Sequence, residues 1–417
     1  MSKVLFFSSI LFYGFSLLSV SYIPLFILIS SSFSLCILWG KLSLSQDRLS
    51  PIFLFMSIVT LWISKPLYEN DHFRYFFEGE LFLQGINIYQ SPPFNFFLGA
   101  DQLFQKNLGF PDVPSIYGPL AHLFHGISFS LMGFSGAIIF IKAIYLCTFL
   151  FLWNKYHTKL LLLCIPFLTK EFFNSIHLDF FAVLLILTGV FQFQRDNYNK
   201  GLLLTLLSLL IKPTGFIALP LIFSYLYRKL ALRKFILWLL SCTLYAFFVS
   251  SWPSISIFTK NWQWNSGIAH VLELFSPTMA SWSSLIAPLL LSVFIVSIHI
   301  KKRHWSGETL SMELGLIFFT QLLFSQTVNS WYLAWPLGFF LLVNCKAPVI
   351  WLTLSWPLCY APWLANDSVT YYTTLFHVSG LFVFIYTFHH YLLDVNFSQT
   401  FFNLFSPLKR KIFTSNQ

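Results

Sequence analysis

Between Tyr68 and Glu80 the chain sets four carboxylates, Glu69, Asp71, Glu78 and Glu80, beside His72 and Arg74, in a protein that is 57% hydrophobic and only 10% charged. An ion in an apolar setting is costly unless a partner or substrate offsets it, so a cluster in such a chain points to chemistry. A carboxylate there can take a proton from a hydroxyl, and an arginine can meet a phosphate with paired N–H bonds. If residues 70–84 are helical and end near Gly85, then Asp71, Arg74, Tyr75, Glu78 and Phe82 share one face at i, i+3, i+4, i+7 and i+11. That face carries an acid, a cation, a phenol and a second acid. The same spacing also has a purely structural reading, in which Asn70 or Asp71 caps the helix and Arg74 pairs with Glu78 in a solvated loop.

Three further polar sites interrupt the apolar sequence. Ser175-Ile176-His177-Leu178-Asp179 opens one apolar run, Lys212 breaks another, and Asn329-Ser330-Trp331-Tyr332 marks a turn back into a third. Singly, each has a plain explanation. His177 and Asp179 pair at a helix start, Lys212 snorkels to the interface, and Trp331 with Tyr332 anchors there, which is the preferred reading of that last pair. Taken together they call for a shared polar cavity, because several ions at membrane depth each need a partner.

The elements that must position these residues are helices in a bilayer. With 417 residues and a mean hydropathy of +0.71, the chain reads as all-α, a polytopic transmembrane bundle of about 11–14 spans. This composition argues against a soluble enzyme. Apolar runs fall near 4–20, 23–40, 51–67, 135–153, 159–169, 178–194, 200–211, 214–227, 235–252, 279–300, 309–327, 331–345, 347–364 and 370–391. One membrane domain covers 1–417, and its one long insert, 66–134, is an outer loop holding interfacial helices. Within that loop Ile116–Met132 is read as a re-entrant or interfacial helix, since this choice best satisfies the positive-inside rule. Eighteen of the 25 Lys and Arg then face the cytoplasm, while ten of the 15 acids face the other side or lie at membrane depth.

The break Lys212-Pro213-Thr214-Gly215 predicts two short helices meeting a polar cavity, and the aromatic stretch from Trp252 to Trp264 predicts an outer interfacial loop. The N-terminal apolar run continues past Ser21 without a small-residue cleavage site, which favours a retained pair of helices over a signal peptide. The six cysteines lie in or beside apolar runs without metal-like spacing and read as core residues. The net charge of +10 sits in short clusters between apolar runs, so it orients the protein in the membrane and implies no nucleic acid.

The run Asp71-His72-Phe73-Arg74-Tyr75, continuing through Gly85-Ile86-Asn87-Ile88-Tyr89-Gln90-Ser91-Pro92 to Ile116-Tyr117-Gly118-Pro119, resembles the first outer loop of bacterial GT-C glycosyltransferases of the polyprenyl-phosphate-mannose type. Ile176-His177-Leu178-Asp179, Leu210-Ile211-Lys212-Pro213 and Ser330-Trp331-Tyr332-Leu333 extend the resemblance in order over most of the chain. There are departures. Phe77-Glu78 stands where a Trp-Asp pair often follows the Arg-Tyr, and Asn87-Ile88-Tyr89 replaces the usual Asn-Pro-Tyr.

The resemblance implies inverting transfer of a sugar, with mannose the implied one, from a polyprenyl-phosphate carrier to a glycan, lipid or protein acceptor on the outer face of the cytoplasmic membrane. Asp71 matches the family's essential acid and is the expected catalytic base. Arg74, His177 and Lys212 are expected at the donor phosphate, with Tyr75, Glu78, Tyr89, Tyr117 and Asp179 in supporting or substrate-binding roles. Asp179 is expected to orient His177 or to help hold a divalent cation. Metal use stays open, because neither Asp71-His72 nor His177-Leu178-Asp179 defines a metal site by its spacing. The alternative is a transporter or flippase of a lipid-linked saccharide, which also needs interrupted helices and buried charge but commonly shows an internal repeat not seen here.

Overall fold

The computed structural model describes residues 66, 69–97, 101–156, 164–227, 229–260, 264–301, 306–363 and 368–394. The expected spans at 4–20, 23–40 and 51–67, apart from Pro66, and the basic residues Lys409, Arg410 and Lys411 lie outside the described residues. Helices of eight or more residues are numbered here in chain order. They are α1 Asp71–Leu83, α2 Pro119–Tyr156, α3 Asp179–Gln194, α4 Tyr198–Ile211, α5 Leu219–Leu226, α6 Leu232–Ser250, α7 Pro253–Lys260, α8 Pro277–Lys301, α9 Gly307–Phe324, α10 Ala334–Leu342, α11 Lys346–Ser355 and α12 Ser368–Asp394. There is no β-strand among the described residues, and the protein is all-α.

The stretches Pro119–Phe149, Leu232–Ser250 and Pro277–Ile300 are each long and apolar enough to cross a membrane. Leu244, Phe247 and Leu290 on these helices are 69%, 77% and 64% exposed, an arrangement that water disfavours and lipid accepts. This is a membrane protein.

The expected helix over 70–84 is α1. It stops at Leu83, and Gly85 adopts a φ of 78°, a left-handed conformation that costs glycine little and ends the helix. Its sequence buries His72, Arg74, Tyr75, Phe76, Phe77, Glu78, Gly79 and Leu81, nearly its whole circumference. The closest approach is to α2, where a Cβ on Gly79 would stand 2.5 Å from the backbone nitrogen of Gly126. Two glycines at this crossing let the helix backbones touch.

α2 is two helices joined at Gly133, whose φ of 64° and ψ of 179° are not helical. The expected helix over 116–132 is therefore distinct from the run at 135–153. α3 and α4 pack as a hairpin, with the Ser208 hydroxyl donating to the Ala182 carbonyl at 2.7 Å. α4 ends where the sequence predicts. Proline disfavours helix in the residue before it, and Lys212 is extended at φ −145° and ψ 124° before a 3-10 segment, Pro213–Ala218.

Two expectations change. The stretch expected as an outer loop from Trp252 to Trp264 contains α7, with Pro253 at its first position, where a proline is already set to helical φ. Among the five described cysteines, all free, Cys164, Cys242 and Cys359 are buried as expected, whereas Cys147 is exposed on α2.

Candidate active site

Three segments far apart in sequence converge on α1. A π-helix, Thr169–Asn174, carries Lys170 and Glu171, and the chain then reverses through Ile176 at φ 54°. That conformation is strained for a β-branched residue, by roughly 1–3 kcal/mol, and it turns His177 back over Glu171 so that its backbone N–H donates to the Glu171 carbonyl at 3.2 Å. From the other side the Ser330–Leu333 turn brings in Trp331, whose ring stacks on His177 with centroids 3.7 Å apart. Trp331, expected as an interface anchor, is a wall of the site instead.

The loop before α2 is pinned to the end of α4. The Gly118 N–H donates to the Ile211 carbonyl at 2.8 Å, and a Cβ at Gly118 would lie 2.1 Å from the Leu210 carbonyl oxygen. Glycine is required there by the close approach. The contact sets Tyr117 and Lys212 on the same cavity, of about 900 Å³, which also exposes Glu69, Asp71 and Arg74. Its volume is ample for a sugar phosphate. Phe216, Val249 and Ile255 give it an apolar flank.

Asp71 is the acid most open to this cavity, with 16% of its side chain exposed. Its Oδ2 accepts a long hydrogen bond from the Tyr117 hydroxyl at 3.5 Å and stands 4.0 Å from His177 Nδ1. Burial raises its pKa above the ordinary 3.8, against the lowering pull of Arg74 and Lys212. A carboxylate so placed is a better base than one in water.

Lys212 Nζ donates to Asp179 Oδ2 at 2.6 Å and lies 4.5 Å from the centre of the Tyr332 ring. The other Asp179 oxygen accepts from the Trp335 indole N–H at 2.7 Å. Asp179 thus holds Lys212, where the sequence led us to expect it to orient His177 or to help hold a divalent cation. α3 begins at Asp179, whose two oxygens are taken up by Lys212 at the end of α4 and Trp335 in α10.

Arg74 departs further from expectation. Its Nε donates to Glu78 at 2.6 Å, and its terminal nitrogens donate to the carbonyls of Phe110, Val113 and Pro114 at 3.1, 2.5 and 3.0 Å. Four of five guanidinium donors are committed to the loop before α2, so Arg74 staples that loop and is poorly free to bind a phosphate. Glu78 completes the staple by accepting from the Ser115 hydroxyl at 2.6 Å. The Arg74–Glu78 pair read from spacing exists, but it is buried rather than solvated.

Tyr75 and Tyr89 stand off the cavity. The Tyr75 hydroxyl meets His177 Nδ1 at 3.3 Å, and Tyr89 stacks on Trp252 with centroids 4.1 Å apart. Of the tyrosines expected at a sugar, Tyr117 is the one on the cavity wall.

Sequence reasoning passed over Glu171, Lys170, Trp335 and Tyr360, and gave Glu69 no role beyond membership of the charged cluster. The Tyr360 hydroxyl donates to Glu171 Oε1 at 2.8 Å, lies 3.3 Å from Glu69 Oε1, and accepts from Lys170 Nζ at 2.9 Å. The one signal available for them was the adjacent pair Lys170-Glu171 inside an apolar run.

Residues 2–228 match a family model described as alpha-(1->6)-mannopyranosyltransferase, N-terminal domain. The match spans more than half of the 417 residues. The chain belongs to this family. It is a glycosyltransferase of the mannosyltransferase type, and the transporter alternative gives way to that assignment. No curated protein and no solved structure matches the chain. The matched segment holds Asp71, His177, Asp179 and Lys212, while the unmatched remainder supplies Trp331, Trp335 and Tyr360, which contact His177, Asp179 and Glu171.

Proposed function

We propose that this protein transfers a mannosyl residue from a polyprenyl-phosphate carrier to a hydroxyl of a glycan, lipid or protein acceptor on the non-cytoplasmic face of the cell membrane. The observation that carries the reading is that Asp71 and Lys212 face one cavity, which has an apolar flank. A carboxylate, a fixed cation and an apolar wall are what a hydroxyl acceptor, a departing phosphate and a prenyl chain each need.

In this reaction the acceptor oxygen bonds to the anomeric carbon as the bond from that carbon to the phosphate oxygen breaks. The hydroxyl proton passes to Asp71, and the electron pair leaves with the phosphate, whose added charge Lys212 meets. A single displacement inverts the anomeric carbon, so an α product of the kind the family's name describes calls for a β-linked donor. Tyr117 orients the base through its hydrogen bond to Asp71. His177 stands behind Asp71, packed on Trp331.

The distribution of charge supports the outer face as the site of reaction. A lipid-linked donor suits that side, since it is presented from the bilayer itself. Purified protein should transfer mannose from the β-anomer of polyprenyl-phosphate mannose and leave the α-anomer and nucleotide-linked mannose untouched. Equal turnover from a nucleotide sugar would overturn the proposal.

A further inference from the structure

His177 Nε2 and Glu171 Oε2 face one another at 3.6 Å, both fully buried, and neither atom makes a hydrogen bond among the described residues. Glu69 Oε1 stands 3.9 Å from the same histidine nitrogen, and the ligand-type atoms of the three residues all lie within 4.8 Å of one another. We propose that Glu69, Glu171 and His177 form a binding site for a divalent first-row cation, Zn²⁺ or Mn²⁺, at the edge of the cavity.

Distance is the first argument. At 3.6 Å the imidazole and carboxylate are too far apart for a hydrogen bond. With metal bonds of about 2.0–2.2 Å, two ligands of one tetrahedral ion lie roughly 3.3–3.6 Å apart. The observed separation is that of two groups sharing an ion.

Orientation is the second. Glu171 and His177 are each held by a contact on the far side, and Glu69 is held through its Oε1. The Tyr360 hydroxyl donates to Glu171 Oε1, leaving Oε2 to face His177, and the same hydroxyl lies 3.3 Å from Glu69. The other ring nitrogen, Nδ1, faces the Tyr75 hydroxyl at 3.3 Å and Asp71 at 4.0 Å. A proton on Nδ1, donated to the Tyr75 hydroxyl, leaves the Nε2 lone pair aimed at Glu171, the arrangement common behind metal-bound histidines. Two lone pairs then point into one space, and a cation removes the conflict.

Charge is the third. Among the described residues, the cations acting on Glu69, Asp71, Glu78, Glu171 and Asp179 are Arg74, Lys170 and Lys212, an excess of two negative charges when all are ionised. A divalent ion balances them. Lys170 does not fill the same place, because its Nζ donates to Ser175 at 2.6 Å and to Tyr360 at 2.9 Å and stands 4.0 Å from Glu171 Oε2.

One nitrogen and two carboxylate oxygens suit Zn²⁺ or Mn²⁺ better than Mg²⁺ or Ca²⁺, which favour all-oxygen shells. Glu69 reaches the cavity, so the remaining coordination position opens there. Use of the ion as a Lewis acid on a leaving phosphate rests on the function proposed above, whereas binding does not.

The test uses the full chain in nanodiscs, freed of affinity tag and stripped with chelator. Titration with Zn²⁺ should give one bound ion per chain and raise the thermal unfolding midpoint. The Glu171→Gln and Glu69→Gln variants should lose at least tenfold in affinity. Mn²⁺-loaded wild type should show coupling of the ion to an imidazole nitrogen in pulsed electron paramagnetic resonance, which needs no variant to fold. Absence of that coupling, or Zn²⁺ uptake unchanged in both folded variants, overturns the site whether or not mannosyl transfer is observed.

Discussion

The Asp179 carboxylate is shared between the Lys212 ammonium at 2.6 Å and the Trp335 indole at 2.7 Å, all three groups buried. Removing one partner of such a pair leaves an uncompensated charge inside the protein. Asp179→Asn should therefore destabilise the fold by about 3–5 kcal/mol, read as a lowered unfolding midpoint in detergent. The double variant Asp179→Asn with Lys212→Met should regain much of that stability without regaining transfer. Recovery of turnover in the double variant would remove Lys212 from the phosphate.

Asp71 is held more lightly, among the described residues by a long hydrogen bond from Tyr117. Asp71→Asn keeps the size and removes the base, so turnover should fall by roughly 10²–10⁴-fold while the unfolding midpoint stays put. Membranes carrying the variant and a labelled lipid-linked sugar give the measurement. Near-normal rates would end its assignment as base.

Arg74→Lys tests whether the guanidinium is a staple. An ammonium cannot serve Glu78 and three carbonyls spread from Phe110 to Pro114, and the loss of charged hydrogen bonds should amount to at least about 2 kcal/mol. The 101–114 segment should become a preferred site of limited proteolysis, with trypsin cutting at Lys106. Unaltered cleavage alongside a raised KM for the lipid-linked donor would show instead that Arg74 binds the donor.

Gly118→Ala inserts a methyl group 2.1 Å from the Leu210 carbonyl oxygen. Overpacking of this kind costs about 1–3 kcal/mol, and here it also pries Tyr117 from Lys212. Transfer should drop more steeply than stability, whereas alanine at Gly136, which meets only a Met132 side chain at 2.9 Å, should leave transfer much as it was.

What could be read in advance follows the range of the interactions. The bounds of α1, the stop at Lys212-Pro213 and the division of α2 follow from local rules: glycine at left-handed φ, proline before a break, charge beside apolar runs. Asp71 and Lys212 were found because each stands out against its neighbours. Glu171 and Tyr360 were not, and Glu69 was seen in its cluster without its partners, because Tyr360 meets Glu69 across 291 positions and Glu171 across 189, which no periodicity records. Arg74 misled for a related reason: spacing gave its partner on the helix, Glu78, but not the loop carbonyls that absorb its remaining donors.

Trp331 and Trp335 lie four residues apart at the start of one helical segment, and they grip His177 and Asp179, which lie two apart at the start of another. Each segment thus acts as a caliper for the other. A slip of one turn between them would uncouple His177 from the base and Lys212 from its carboxylate at the same moment, so the two halves of the chemistry are gained or lost together.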